Sequence, residues 1–225
     1  MFNNMTIKSR LVFVIGLLSL LLVGIGGLGV YGLNQTNDSF KGVYEDRAVP
    51  LGDLGLVLDR MQRLRLNTVM ASYAEDAAIT KERKSLSDQR LAEIATTWQK
   101  YMATTLTLEE ATLADNFNQQ WKTFLESSDR SMSLAIAKDY EAAKANVNAD
   151  MDPKFDAVHA TLFKLLELQR DEAAKEYAEA QNTYQSIFMT TVTTIILGIL
   201  LAAIIGFLLI RAIVGPLNEA IGVAN

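Results

Sequence analysis

Three arginines, Arg60, Arg63 and Arg65, stand within six residues of one another in the stretch RMQRLRLN that ends at Asn67. A guanidinium presents a planar fork of donors that fits a carboxylate bidentately. Such a cluster either decorates a solvated helix face, with acids one turn away, or faces a small anion. Arg63 has Asp59 four residues before it, and a helical ion pair worth ~0.3–0.5 kcal/mol accounts for it. Arg60 has Leu56, Val57, Arg63 and Leu64 three and four residues away; Arg65 has Met61, Gln62, Thr68 and Val69. Neither has an acid at those spacings, so each takes its partner from another helix or from a ligand, and both possibilities stay open. If a ligand is bound, a small di- or tricarboxylate or an acidic amino acid fits. Asn67, Thr68 and Ser72 follow on the same helix. Antiparallel packing would bring Arg130 and Ser131 from a third helix, and Thr161 and Lys164 from a fourth, to the same level.

The positions of these residues depend on two apolar runs. Residues 11–30 and 187–210 carry no charged side chain, and at ~1.5 Å per residue each covers a bilayer core of ~30 Å. The first run exceeds the ~7–15 apolar residues of a cleaved signal peptide and no small-x-small site follows it, so it reads as an uncleaved anchor. Its glycines, Gly24, Gly26, Gly27 and Gly29, would permit close helix contact. Lys8 and Arg10 precede the first run and Arg211 follows the second, which puts both ends in the cytoplasm. The expected organisation is a cytoplasmic N-terminus (1–10), a first transmembrane helix (11–33), an exported domain (34–186), a second transmembrane helix (187–210) and a cytoplasmic segment (211–225).

The exported segment has 18 Lys and Arg, the chain's 21 less Lys8, Arg10 and Arg211, and 25 acids, the chain's 26 less Glu219, a balance of −7. That balance excludes nucleic acid as a partner, since phosphate binding needs a basic footprint. Within it, residues 54–74 hold three cations and one acid. The absence of cysteine removes disulfides and thiolate metal sites. His159 is the one histidine and builds no metal site alone. No nucleophile–base set or phosphate loop is present, so neither an enzyme nor a cofactor is expected.

Apolar residues recur at helical spacing along Leu54/Val57/Met61/Leu64, Leu91/Ile94/Trp98/Tyr101, Leu113/Phe117/Trp121/Phe124 and Phe155/Val158/Leu162/Leu165. Four stripes of this kind predict four amphipathic helices. With both membrane ends on one side, they form an all-α, antiparallel up-down-up-down bundle between two transmembrane helices. Breaks are expected near Glu75-Asp76, with Thr80 capping the next helix; at Thr107-Leu-Glu-Glu110, a capping box; and at Asp152-Pro153, an N-cap with proline in the first turn. A short helix is expected over 139–144, and Pro50 is expected to kink the first helix or open a new first turn.

Ile213, Pro216 and Leu217 form an I-x-x-P-L arrangement just after the second apolar run. It resembles the start of the HAMP linker. Val49-Pro50-Leu51, Arg65-Leu-Asn67 and Asp139-Tyr-Glu-Ala-Ala143 are further matches, and the order of parts resembles the methyl-accepting chemotaxis receptors with a four-helix sensor like the bacterial aspartate receptor. The resemblance implies a homodimer, capable of higher arrays, in a bacterial inner membrane. It implies a periplasmic small-molecule ligand near the membrane-distal end, a piston-like shift of the fourth helix and second span, and a cytoplasmic kinase or adaptor partner reached through a C-terminal part beyond residue 225. Aligned on Arg65 and Asn67, the aspartate receptor's other two arginines fall at Met70 and Ala74, so its mode of aspartate recognition is not implied. Two other functions share this sequence pattern: the sensor half of a histidine kinase or nucleotide cyclase, and a structural membrane bundle without a small ligand.

Overall fold

A computed structural model of the protein describes residues 6–223, with the backbone alone for Ile7 and 215–223. Among the described residues every regular element is helical: α1 (Ile7–Gly42), a π-helical segment (Val43–Ala48), α2 (Val49–Tyr73), α3 (Ala77–Met102), α4 (Leu108–Ile136), α5 (Tyr140–Asn146), a second π-helical segment (Val147–Met151) and α6 (Asp152–Val223). The chain divides into two compact units, one formed by Lys41–Tyr177 and one by the two terminal segments.

The Lys41–Tyr177 unit is the four-helix bundle. Leu54, Val57, Met61 and Leu64 of α2, Ile94 and Tyr101 of α3, Phe117 and Phe124 of α4, and Phe155, Val158, Leu162 and Leu165 of α6 are buried together, the residues whose spacing defined the four stripes. An aromatic chain crosses this core: Trp98 lies 4.2 Å from Phe117, Trp121 5.3 Å from Phe124, and Phe124 5.4 Å from Phe155, centroid to centroid. Rings of this size dominate core energetics.

The turns correct parts of the sequence reading. Asp76, not Thr80, caps α3: its Oδ1 accepts from the amides of Ala78 and Ile79 at 2.7 and 3.0 Å. Thr80 lies buried inside the helix and donates back to Asp76 O. The capping box at Thr107 is present, with both reciprocal bonds. At the end of α4, Lys138 N bonds Ala135 O and Asp139 N bonds Leu134 O. This is a Schellman closure in which Lys138, at φ 66°, takes the left-handed position usually held by glycine. Asp139 then caps α5.

Prolines explain the two π-helical segments. A helical proline lacks the N–H that would bond four residues back, and its ring crowds that carbonyl. For Pro50 and Pro153 the carbonyl belongs to Asp46 and Ala149, each inside a π-helical stretch. The wider π turn displaces the carbonyl, and the helix continues. Asp152 is accordingly helical, at φ −63°, ψ −46°, and is not the N-cap expected from its sequence.

A buried polar knot closes the bundle near the first π segment. The Glu110 side chain has no solvent exposure. One of its oxygens accepts the Thr107 amide at 2.6 Å and the other accepts from Gln169 Nε2, and Arg47 Nη1 stands 3.4 Å away. Arg47 Nε also donates to Glu176 on α6 at 2.8 Å. Burial opposes the Arg47 charge, but the bond to Glu176 and the nearby Glu110 and Glu172 carboxylates outweigh it, and its pKa is raised. Tyr101 is buried against this group; burial first, then the Glu110 charge, pushes its hydroxyl up to about 12.

In the unit formed by the terminal segments, two helical stretches are long and apolar enough to cross a membrane. Within the chain, Gly24, Gly26, Gly27 and Gly29 have nothing within 4 Å of a Cβ position. The close approach inside the chain is at Gly32, where a Cβ would stand 2.5 Å from Ile187 Cγ2. Arg10 Nη1 donates to Ala212 O at 2.9 Å. Of the proposed linker motif, Ile213 is described, while the side chains of Pro216 and Leu217 lie outside the described residues.

Glu110→Ala strips the buried Arg47 of one of its two carboxylates, leaves Gln169 without its partner and removes half of the capping box. It is expected to destabilise the bundle by about 3–5 kcal/mol, against about 1 kcal/mol for Thr107→Ala, in denaturant unfolding of the detergent-solubilised chain followed by Trp98 and Trp121 emission. Equal losses would contradict the knot.

Candidate functional site

Helix α2 presents its arginines to two different depressions. Arg63 and Arg65 line a cavity of about 460 Å³ with Gln62, Leu66, Val69 and Tyr73, closed by Val147 and Asn148 of the second π segment and by Asp152 of α6. Arg60 lines a separate groove of about 390 Å³ with Leu56, Ala92, Glu93, Thr96 and Thr97. The three guanidinium groups therefore do not converge on one point.

Each arginine has protein partners. Arg63 Nε donates to both Asp59 oxygens, at 3.1 and 3.0 Å, the helical pair read from the sequence. Arg60 pairs with Asp59 beside it and, at 2.6 Å, with Glu93 of α3, so an acid three or four residues away was not the only local source of a partner. Arg90 reaches the same Glu93 at 2.7 Å. Arg65 Nε donates to Asp152 Oδ1 at 2.9 Å, and its Cζ lies 5.0 Å from the Phe155 ring centroid, within cation–π range. The Asp152 hydrogen bond, against some burial, raises the Arg65 pKa.

The polar residues named with the arginines lie elsewhere. Thr68 and Ser72 are buried in the bundle, Thr68 Oγ1 bonding Ser128 Oγ at 2.9 Å and Ser72 Oγ donating to Thr68 O. Asn67 is buried as well. Ser131 Oγ accepts from Asn146 Nδ2 at 2.8 Å, and Thr161 Oγ1 donates to Gln120 Oε1 at 2.7 Å. Arg130 and Lys164 are exposed. None of these lines the Arg63–Arg65 cavity.

Besides Arg63 and Arg65, the cavity takes its polar groups from Gln62, Tyr73, Asn148 and Asp152, which the sequence pattern did not nominate. The Tyr73 hydroxyl donates to Asn148 Oδ1 at 3.0 Å, both residues lining the cavity. Leu66, Val69 and Val147 supply an apolar wall. Its lining thus combines two arginines, each held by an acid, with an apolar wall. Among the described residues no group of three or more acids or histidines could hold a metal ion.

The family described as a four helix bundle sensory module for signal transduction matches residues 4–184. The chain belongs to this family. Among curated proteins, a methyl-accepting chemotaxis protein, NahY of Pseudomonas putida, is 25% identical over 217 residues, which are 96% of this chain and 40% of that protein. The chain thus spans two-fifths of the length of the relative it matches.

The sensory module carries a readable acid limb on α2 and α3. Hydrogen bonds from Arg63 first and then Arg60, against the opposing effect of burial, hold Asp59 below the ordinary carboxylate range, and those from Arg90 and then Arg60 do the same for Glu93. Depressed folded-state values stabilise the fold above the unfolded pKa, and that stability is lost as pH falls through the folded value. Melting of the full chain in detergent should therefore drop as pH falls below about 4. Arg60→Ala, which removes one cation from both acids, should flatten that drop; an unchanged acid limb would show that these pairs are not coupled to folding.

Proposed function

We propose that this sensory module is the sensing portion of a bacterial transmembrane chemoreceptor. Residues 11–33 and 187–210 cross the inner membrane and 34–186 face the periplasm. The signal leaves through α6, the second span and a HAMP linker beginning at 211, toward a cytoplasmic chemotaxis kinase and its adaptor. The ligand is a small carboxylate bound in the α2–α6 cavity. Dicarboxylates and acidic amino acids come first, because two guanidinium groups line the one cavity, and Leu66, Val69 and Val147 accept the carbon skeleton.

One observation carries this reading. The ligand-facing Arg65 is bonded to Asp152, the first residue of α6, and α6 is a single helix that continues through the second apolar run. A molecule engaging Arg65 acts on the first turn of that helix. Leu56, Arg63, Leu66, Met70 and Tyr73 are exposed on one face of α2. Their spacing of three, four and seven residues supports a homodimer seam along this helix.

Calorimetry of the 225-residue chain in detergent micelles against succinate, citrate, L-aspartate and L-glutamate tests the proposal. At least one should bind saturably; Arg65→Ala should abolish that binding, and Arg60→Ala, whose side chain lines the other groove, should leave it within about threefold. Binding that survives Arg65→Ala would place the site elsewhere. Binding by cationic compounds alone would refute the carboxylate assignment.

A further inference from the structure

The guanidinium best placed to receive a ligand carboxylate already holds one. Arg65 Nε bonds Asp152 Oδ1 at 2.9 Å, and both residues line the same cavity. The side chains keep 35% and 29% exposure, so water, and therefore a solute, reaches both. The neighbouring Arg63 is held by both oxygens of Asp59 on its own helix. The two cations at the cavity are thus matched by two acids. A ligand carboxylate added on top would share the Arg65 guanidinium with Asp152 and leave this group of two cations with an excess of negative charge.

Exchange avoids that. The Arg65–Asp152 pair joins two helices, and its release frees a half-exposed carboxylate to be hydrated while Arg65 keeps its seat over the Phe155 ring. The Arg63–Asp59 pair lies within one helix, so breaking it would release nothing between helices. Asp152 also occupies a special place in the chain, between the π-helical segment that borders the cavity and Pro153. There the helix has no ordinary 13-atom bond from residue 153 to hold its register.

We infer that Asp152 is the built-in occupant of the carboxylate subsite at Arg65, so that a ligand binds by exchanging its carboxylate for that of Asp152 and thereby uncouples the first turn of α6 from α2. This rests on the carboxylate reading of the cavity. It makes Asp152 a determinant of affinity: the apparent dissociation constant is the intrinsic one divided by the fraction of molecules whose subsite is open. Removing the internal carboxylate raises that fraction.

The test compares wild type, Asp152→Asn and Asp152→Glu as the full 225-residue chain in detergent micelles, with two readouts. Succinate and L-glutamate binding is measured by calorimetry. Phenylglyoxal labelling of Arg65, quantified by mass spectrometry, reports access to the guanidinium without any ligand. Asp152→Asn should label faster at Arg65 and bind at least one of the two probes on the order of tenfold more tightly. Asp152→Glu, which retains an acid, should stay within about threefold of wild type in both readouts. If Asp152→Asn loses helicity by circular dichroism, Asp152→Ser carries the same expectations. Faster labelling with unchanged or weaker probe binding overturns the exchange and leaves the carboxylate reading standing, as does unchanged labelling with wild-type binding intact. No binding of either probe by wild type or variant overturns both.

Discussion

A carboxylate fully removed from water needs donors from several directions, and the Glu110 side chain, with no exposure, draws them from the whole bundle. Thr107 supplies the amide that starts α4, Gln169 reaches in from α6, and Arg47 comes from the π-helical turn ahead of α2. One acid thus fixes the start of α4, the register of α6 and the approach of the first helical segment. The aromatic chain from Trp98 to Phe155 then fills the bundle interior beyond it.

The opposite part of the bundle is held differently. Arg65 and Asp152 are about a third exposed, against about a tenth for Arg47. Charged pairs with access to water contribute little to stability and are correspondingly easy to exchange. From Arg47 to Arg65 is roughly 27 Å at helical rise. Under the proposed function, a bundle locked at one level and exchangeable at the other would let a ligand alter the α2–α6 contact without unfolding the domain. The two π-helical segments mark these same levels, because each proline in the bundle forces a wide turn, one bearing Arg47 and one bordering the cavity.

Much of the fold was legible in the sequence because it rests on local periodicity. The four apolar stripes, the Thr107 capping box and the two uncharged runs all follow from spacing alone. The errors came where the signals were ambiguous. Asp152-Pro153 looks like a helix start, yet a π turn lets the helix pass through. Lys138 adopts a glycine-like conformation that its residue type does not advertise. The cavity lining was half legible. Arg63 and Arg65, which line it, stood out by their chemistry, and the Asp59 partner of Arg63 by its spacing. Glu93, Asp152 and Asn148 reach α2 residues from α3, α6 and the second π-helical segment, and no single-helix pattern reports such contacts. Thr68 and Ser72 were nominated for their hydroxyls, but those hydroxyls bond inside the core.

The central claim is that the α2–α6 cavity is where a small carboxylate changes the state of α6. Hydrogen-exchange mass spectrometry of the intact chain, with and without a carboxylate that calorimetry has shown to bind, tests it most directly. The account predicts altered exchange in residues 62–73 and 147–155 together, with 77–88 and 135–136 unchanged. A response confined to those last segments, or one that spares 147–155, would contradict it.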